Sequence, residues 1–252
     1  MALREERLKT TAVAEPARPD LLVVSELAAG YGRRRVVFDV DLRVGEGEVV
    51  TILGHNGAGK TTILKAIFGL LKPFAGTVTF NSKDVTNDRP AHKVRSGMSL
   101  IPAEHPVFGP LTVDDNLKLG ALRERSAAGR DAHLEKIYGM FPILGERGSQ
   151  LAGTMSGGEQ RMLSIGISLV SGPRLMLVDE PSLGLSPALV QQVMDAIREL
   201  AEREGISVLM LEQNVTQSLR VSDRAYVLRS GRIILEEPAD KMLARGQWWD
   251  LF

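Results

Sequence analysis

The sequence predicts an α/β fold: a mostly parallel sheet, an antiparallel β edge near the N-terminus, and a helical subdomain at approximately 104–165. Three observations predict it. From residue 49 onward, short runs rich in Val, Ile and Leu alternate with helical periodicity, the pattern of strands joined by crossover helices. Two further runs precede the first helix with no helix between them, which implies an antiparallel pair. Between Leu111 and Ile167 helical patterns dominate.

Residues 1–19 mix Arg4, Glu5, Glu6, Arg7 and Lys9 with Ala and Pro and end in Ala17-Arg18-Pro19. They read as a flexible tail ahead of one domain over 20–252, and they lack the apolar core of a signal peptide. Residues 21–27 and 36–44 read as the antiparallel edge, and Val49–Leu53 as the first strand of the main sheet. A helix follows over 59–70, with Ile63, Leu64 and Ile67 on one side, then short strands at 77–80 and Met98–Ile101. The helical insertion is broken at Ser126-Ala127-Ala128-Gly129 and again over 145–153. Strands return at 175–178, 208–211 and 225–228. Between the first two of these, Ser186 and Pro187 mark an N-cap and first helical position. Leu189, Val193, Ile197 and Leu200 then fall on one helical face.

Bulk properties narrow the functions. A chain of 252 residues with 44% hydrophobic and 25% charged residues can build one globular core with a subdomain. Basic and acidic residues number 31 each, so there is no cationic excess of the kind nucleic-acid binding uses. The absence of cysteine excludes disulfides and thiolate metal sites. No apolar run reaches the roughly 18 residues of a membrane span, so any membrane role runs through partners.

Residues 54–61 read Gly54-His55-Asn56-Gly57-Ala58-Gly59-Lys60-Thr61, fitting G-x-x-x-x-G-K-[ST] between a strand and a helix. Glycines let backbone N–H groups wrap an anion, and the helix N-terminus adds free donors and a favourable dipole. Lys60 is expected at the outer phosphates of ATP, Thr61 on Mg²⁺, and Thr62 as a further phosphate contact. His55 sits at a variable position of this loop and reads as tolerated rather than catalytic. His92, His105 and His133 lack metal-ligand spacing and read as surface residues. The run 175–178 ends in Asp179 and Glu180: the first suits the Mg²⁺ shell, the second the polarising of an attacking water.

Met155-Ser156-Gly157-Gly158-Glu159-Gln160 resembles the signature of ABC ATPases, usually Leu-Ser-Gly-Gly-Gln. Ser156 can cap a helix there, leaving backbone N–H groups open to a phosphate. The likeness covers about residues 21–245 and implies a P-loop core of the ABC ATPase type. It implies that Tyr31 stacks on adenine and that Ser156, Gly157, Gly158 and Glu159 meet ATP bound by a second ABC ATPase chain. The loop after Glu180 would cross that interface. Residues 180–187, Glu212-Gln213-Asn214 and the spacing from Phe108 to Asn116 look most like the importers of branched-chain amino acids, a subgroup that includes importers of urea and amides. That resemblance implies permease subunits, a solute-binding protein outside, and residence on the cytoplasmic face of the membrane. Two positions depart from the family. Ala103 stands where a Gln or Glu is expected, with Glu104 one place late; either Glu104 shifts into the Mg²⁺ shell or that ligand is missing. Gln213 replaces the switch His of most relatives; it can hydrogen-bond a γ-phosphate but carries no charge. Two other readings stay open, a soluble ABC ATPase and a nucleotide-binding subunit with weak turnover. The apolar end Trp248-Trp249-Asp250-Leu251-Phe252 would fold against the domain or meet a partner.

Overall fold

The computed structural model describes residues 18–104, 106–123 and 126–245. β1 (Asp20–Tyr31) and β2 (Arg34–Gly45) form a hairpin, and β4 (Ala75–Phe80) pairs with the other edge of β1. With β5 (Lys83–Asp84) they make an antiparallel sheet ordered β2-β1-β4-β5. The expected antiparallel edge is thus present, with longer strands than expected.

The second sheet contains β3 (Val49–Leu53), β6 (Met98–Ile101), β7 (Leu175–Asp179), β8 (Ser207–Glu212), β9 (Arg224–Arg229) and β10 (Arg232–Pro238). Its order is β10-β9-β3-β8-β7-β6, parallel except for β10. Side chains alternate between two cores: Leu175 and Leu177 of β7 enter one, Met176 and Val178 the other. Both faces are covered, which is why these strands read as unbroken apolar runs.

α1 (Lys60–Phe68) lies between the sheets, contributing Ile63, Leu64 and Ile67 to the core they share. α2 (Pro90–Arg95) precedes β6. α3 (Val113–Gly120), α4 (Ala127–Met140), α5 (Pro142–Glu146) and α6 (Gly157–Val170) supply the helical stretch between β6 and β7. α6 and α7 (Pro187–Glu204) pack with the other face of the parallel sheet. α8 (Val215–Val221) and α9 (Ala239–Ala244) complete a small third cluster.

Several local expectations shift. Pro187 does open α7 behind Ser186, but the Ser186 side chain makes no capping bond. The buried face of α7 is Val190, Val193, Met194, Ile197, Leu200 and Ala201; Leu189 is only half-buried. At the N-terminal end the chain is already fixed at Pro19, whose carbonyl accepts from Glu46 N at 2.9 Å, and at Arg18, which donates to Gly47 O at 3.0 Å. The rest of the expected tail, residues 1–17, and the segment 248–252 lie outside the described residues, as does His105. The turn between β9 and β10 joins distant parts: Gly231 N donates to Ala58 O at 2.9 Å, and Gly231 O accepts from Phe38 N at 2.8 Å.

Candidate nucleotide site

Because β3, β6, β7 and β8 run parallel, the residues that follow them emerge at one edge of the sheet: Gly54, Pro102, Glu180 and Gln213. Ligands of open α/β sheets bind at this carboxyl edge.

The phosphate loop curls tightly after β3. Ala58 N donates to His55 O at 3.1 Å, and buried Lys60 arches back to donate from Nζ to Gly54 O at 2.7 Å and His55 O at 3.2 Å. Gly59, capping α1, has φ 108°, and a β-carbon there would stand 2.7 Å from Val37 Cγ1. Only glycine fits a position with both a left-handed backbone and that contact. The first turn of α1 leaves backbone N–H groups without intrahelical acceptors, as every helix start does. Together these donors, the buried lysine and the open face over Gly57 fit a polyphosphate chain.

The acidic residues converge on the same loop. Thr61 Oγ1 donates to Asp179 Oδ1 at 3.3 Å. Glu180 Oε1 lies 3.1 Å from Lys60 Nζ and accepts from Gln213 Nε2 at 2.9 Å. Glu180 also has φ 44°, uncommon for a residue with a side chain. Its N–H donates to Leu211 O at 3.0 Å, which holds the reversed backbone against β8. Burial pushes the Asp179 carboxyl above the ordinary aspartate value; the Thr61 hydroxyl opposes that rise, the Glu180 charge adds to it, and Lys60 and Lys65 oppose it.

Other candidates stand apart from this cluster. Ser156 caps α6 in a full capping box: its Oγ accepts from Glu159 N at 3.4 Å, and Glu159 Oε2 accepts from Ser156 N at 2.8 Å. Glu159 also pairs with Arg147 at 3.0 Å, and Gly158 abuts Leu189 of α7. No hydrogen bond or ion pair among the described residues joins Ser156–Glu159 to the phosphate loop. Tyr31 ends β1 half-exposed, on the hairpin whose Val36 and Val37 touch Gly59. Glu104 is exposed and makes no hydrogen bond or ion pair to Thr61 or Asp179. His92 is exposed as expected, whereas His133 is half-buried and its Nδ1 is buried without a partner.

Two buried polar residues escaped the sequence reading of the site. Arg161 of α6 donates to Pro102 O at 2.8 Å and Ala103 O at 2.9 Å, fixing the backbone beside Glu104. Burial lowers its pKa from the ordinary arginine value, opposed by the charges of Glu212 and Asp179. Its helical phase with Ser164, Ile165 and Ser168, all buried, was the available signal. Asn116 is the second. Its Oδ1 accepts from Phe108 N at 2.8 Å while Nδ2 donates to Phe108 O at 3.0 Å and Thr112 O at 2.9 Å. That clasp explains the fixed spacing from Phe108 to Asn116.

Comparison with known proteins agrees with this geometry. The family described as ABC transporter matches residues 37–183. The high-affinity branched-chain amino acid transport ATP-binding protein BraG of Pseudomonas aeruginosa is 38% identical, over 92% of this chain and 99% of its own. The lipopolysaccharide export system ATP-binding protein LptB of Escherichia coli K12 is 36% identical, over 84% and 88% respectively. Among solved structures, the ADP conformation of MJ1267, an ATP-binding cassette of an ABC transporter, matches with TM-score 0.79 at 27% identity, covering 92% of this chain and 98% of that one. The chain belongs to the ABC transporter family and is one of its ATP-binding, ATP-hydrolysing subunits.

Proposed function

We propose that this chain is the motor subunit of an importer for branched-chain amino acids or related small solutes such as amides and urea. The observation that carries the reading is the end-to-end likeness to BraG. In this reading the chain sits on the cytoplasmic face of the membrane, bound to permease subunits that a solute-binding protein serves from outside. The separation of Ser156–Gly158 from the phosphate loop supports a second ABC ATPase chain, whose signature segment would cover the outer phosphate of ATP held by the first. A cleft of about 400 Å³ between β6, the 102–108 loop and α6 suits a permease helix, with exposed Phe108 at its rim and Ser164 and Ser168 in its wall.

Within the site, Lys60 and the loop N–H groups hold the phosphates and Tyr31 meets the adenine. Thr61 and Asp179 would hold Mg²⁺; one hydroxyl and one carboxylate suit an ion that keeps waters and takes its other oxygens from phosphates. Bound there, Mg²⁺ would neutralise phosphate charge. Glu180 takes the proton of the attacking water, and Gln213 steadies its carboxylate at 2.9 Å.

The test is reconstitution with the permease that co-purifies from membranes. With the solute-binding protein outside and the ATPase and ATP enclosed in the lumen, the wild-type chain is expected to drive leucine, isoleucine or valine into the proteoliposomes; Glu180→Gln should bind ATP, trap a two-ATPase assembly and stop uptake. ATP-driven movement of a lipid away from the ATPase face would replace the import reading with export.

Ala103 bears on the rate. With Arg161 bonded to the carbonyls of both Pro102 and Ala103, the loop is tied in its present register. This supports a missing side-chain ligand rather than a shifted Glu104. Ala103→Gln is expected to raise turnover of the assembled transporter by several-fold, on the order of one restored hydrogen bond, with Glu104→Ala near wild type. Collapse of activity in Glu104→Ala would return the role to Glu104.

A further inference from the structure

Glu212, the last residue of β8, is a carboxylate with 1% of its surface exposed and, among the described residues, no cation bonded to it. Backbone and hydroxyl donors surround it instead. Its Oε1 accepts from Ser182 N at 2.8 Å; its Oε2 accepts from Ser182 Oγ at 2.9 Å, Gln213 N at 3.0 Å and Asn214 N at 3.2 Å. A carboxylate only accepts, and four donors converge on this one, one on Oε1 and three on Oε2. These donors come from two separate loops. Ser182 lies two residues beyond Glu180, and Gln213 is the residue whose amide donates to Glu180 Oε1 at 2.9 Å. One buried side chain therefore holds both pieces of backbone that set where the Glu180 carboxylate sits.

We propose that Glu212 is a positioning residue for ATP hydrolysis, locking the Gln213 loop and the loop after Glu180 into one unit so that the Gln213–Glu180 hydrogen bond is aligned. The chemistry favours glutamate specifically. A glutamine that kept its oxygen toward the three donors on Oε2 would turn its NH₂ group against Ser182 N, and an aspartate, one methylene shorter, would reach less far toward Ser182. A group misplaced by about 1 Å at a reacting centre costs roughly 100-fold in rate, whereas ATP affinity rests on Lys60 and the loop N–H groups, which Glu212 does not touch. As the loop after Glu180 is also the one read above as facing a second ATPase chain, Glu212 would report that chain's arrival to Gln213. This last step rests on the proposed function; the positioning role rests only on ATPase activity.

The experiment is steady-state ATPase kinetics and Mg-ATP titration on the purified full-length chain without permease, for wild type, Glu212→Gln, Gln213→Ala and the double variant. Expected are an ATP Kd within about 2-fold of wild type and a kcat lower by about 10-fold or more in Glu212→Gln. Within the Gln213→Ala background, Glu212→Gln should cost little further, because the bond it aligns is already gone. Wild-type kcat in Glu212→Gln, a loss carried by Kd, or fully additive losses would overturn the proposal. If Glu212→Gln does not fold, Ser182→Ala replaces it in the same cycle: coupling to Gln213 supports the role, and additivity overturns it. Failure of import in reconstituted vesicles would leave this cycle unaffected.

Discussion

Lys93 is a lysine with no solvent exposure, its Nζ donating to Ile67 O at 2.6 Å near the C-terminal end of α1. Burial lowers its pKa to about 8, against the opposing charges of Asp88 and Asp84. The sign of the stability effect follows. Between about 8 and the ordinary lysine value of 10.5 the unfolded chain holds the proton and the folded chain does not. Unfolding free energy therefore rises with pH across that window, and the gain is lost as pH falls through about 8. Urea unfolding at pH 7, 8.5 and 10 should show this rise in wild type relative to Lys93→Met; parallel curves for the two would refute it. Residues of this kind mark the limit of sequence reading. Gly54–Thr62, Asp179 and Glu180 were legible because phosphate and metal chemistry demands particular residue types at fixed spacing. Arg161 and Lys93 were not, because their partners are main-chain carbonyls of distant segments, which any sequence supplies, and Glu212 was legible only as a family mark, not as the acceptor that joins two loops.

Elements were legible in proportion to their apolar length. β6 and β3 carry the expected bounds because strands buried on both faces leave no polar residue to blur them. β10 was missed: Arg-Ile-Ile-Leu-Glu-Glu-Pro is half-exposed at a sheet edge and lacks that signature. The six-residue α2 and α9 and the seven-residue α8 are too short to show a period. α7 was found with its face turned slightly, since Leu189 serves Gly158 of the neighbouring helix rather than the core. The loop leading into α3 is clasped by Asn116, whose side chain bonds Phe108 N, Phe108 O and Thr112 O. Asn116→Ala strands Phe108 N and the carbonyls it bonded, at a cost of about 2–3 kcal/mol. Calorimetry is expected to show Tm lower by about 5–10 °C. A shift under about 2 °C would mean that the loop holds itself.

At the scale of the whole molecule, two sheets are tied by a polar knot as well as by the core around α1. Arg224 of β9 grips Glu48 through both oxygens, at 3.0 and 2.8 Å, and reaches Arg43 O of β2 at 3.2 Å and Tyr226 Oη at 3.0 Å. Tyr226 Oη in turn accepts from Arg43 N at 3.2 Å. Removing Arg224 leaves the buried Glu48 without its cation, with Gly45 N still donating to its Oε2 at 2.6 Å. Arg224→Ala should therefore lose about 3–5 kcal/mol, a Tm drop of about 10 °C, while Arg224→Met with Glu48→Gln should recover much of it. Equal losses in the single and double variants would assign the cost to packing instead. The Gly231 turn adds a practical consequence. A short turn leading to an edge strand, as here between β9 and β10, is ordinarily where a tag or a fluorescent reporter can be spliced into a domain without harm. Here the splice would pull Gly231 away from Ala58 of the phosphate loop and from Phe38 of β2 together, so a reporter grafted at this turn would loosen the phosphate loop's support rather than ride along unnoticed.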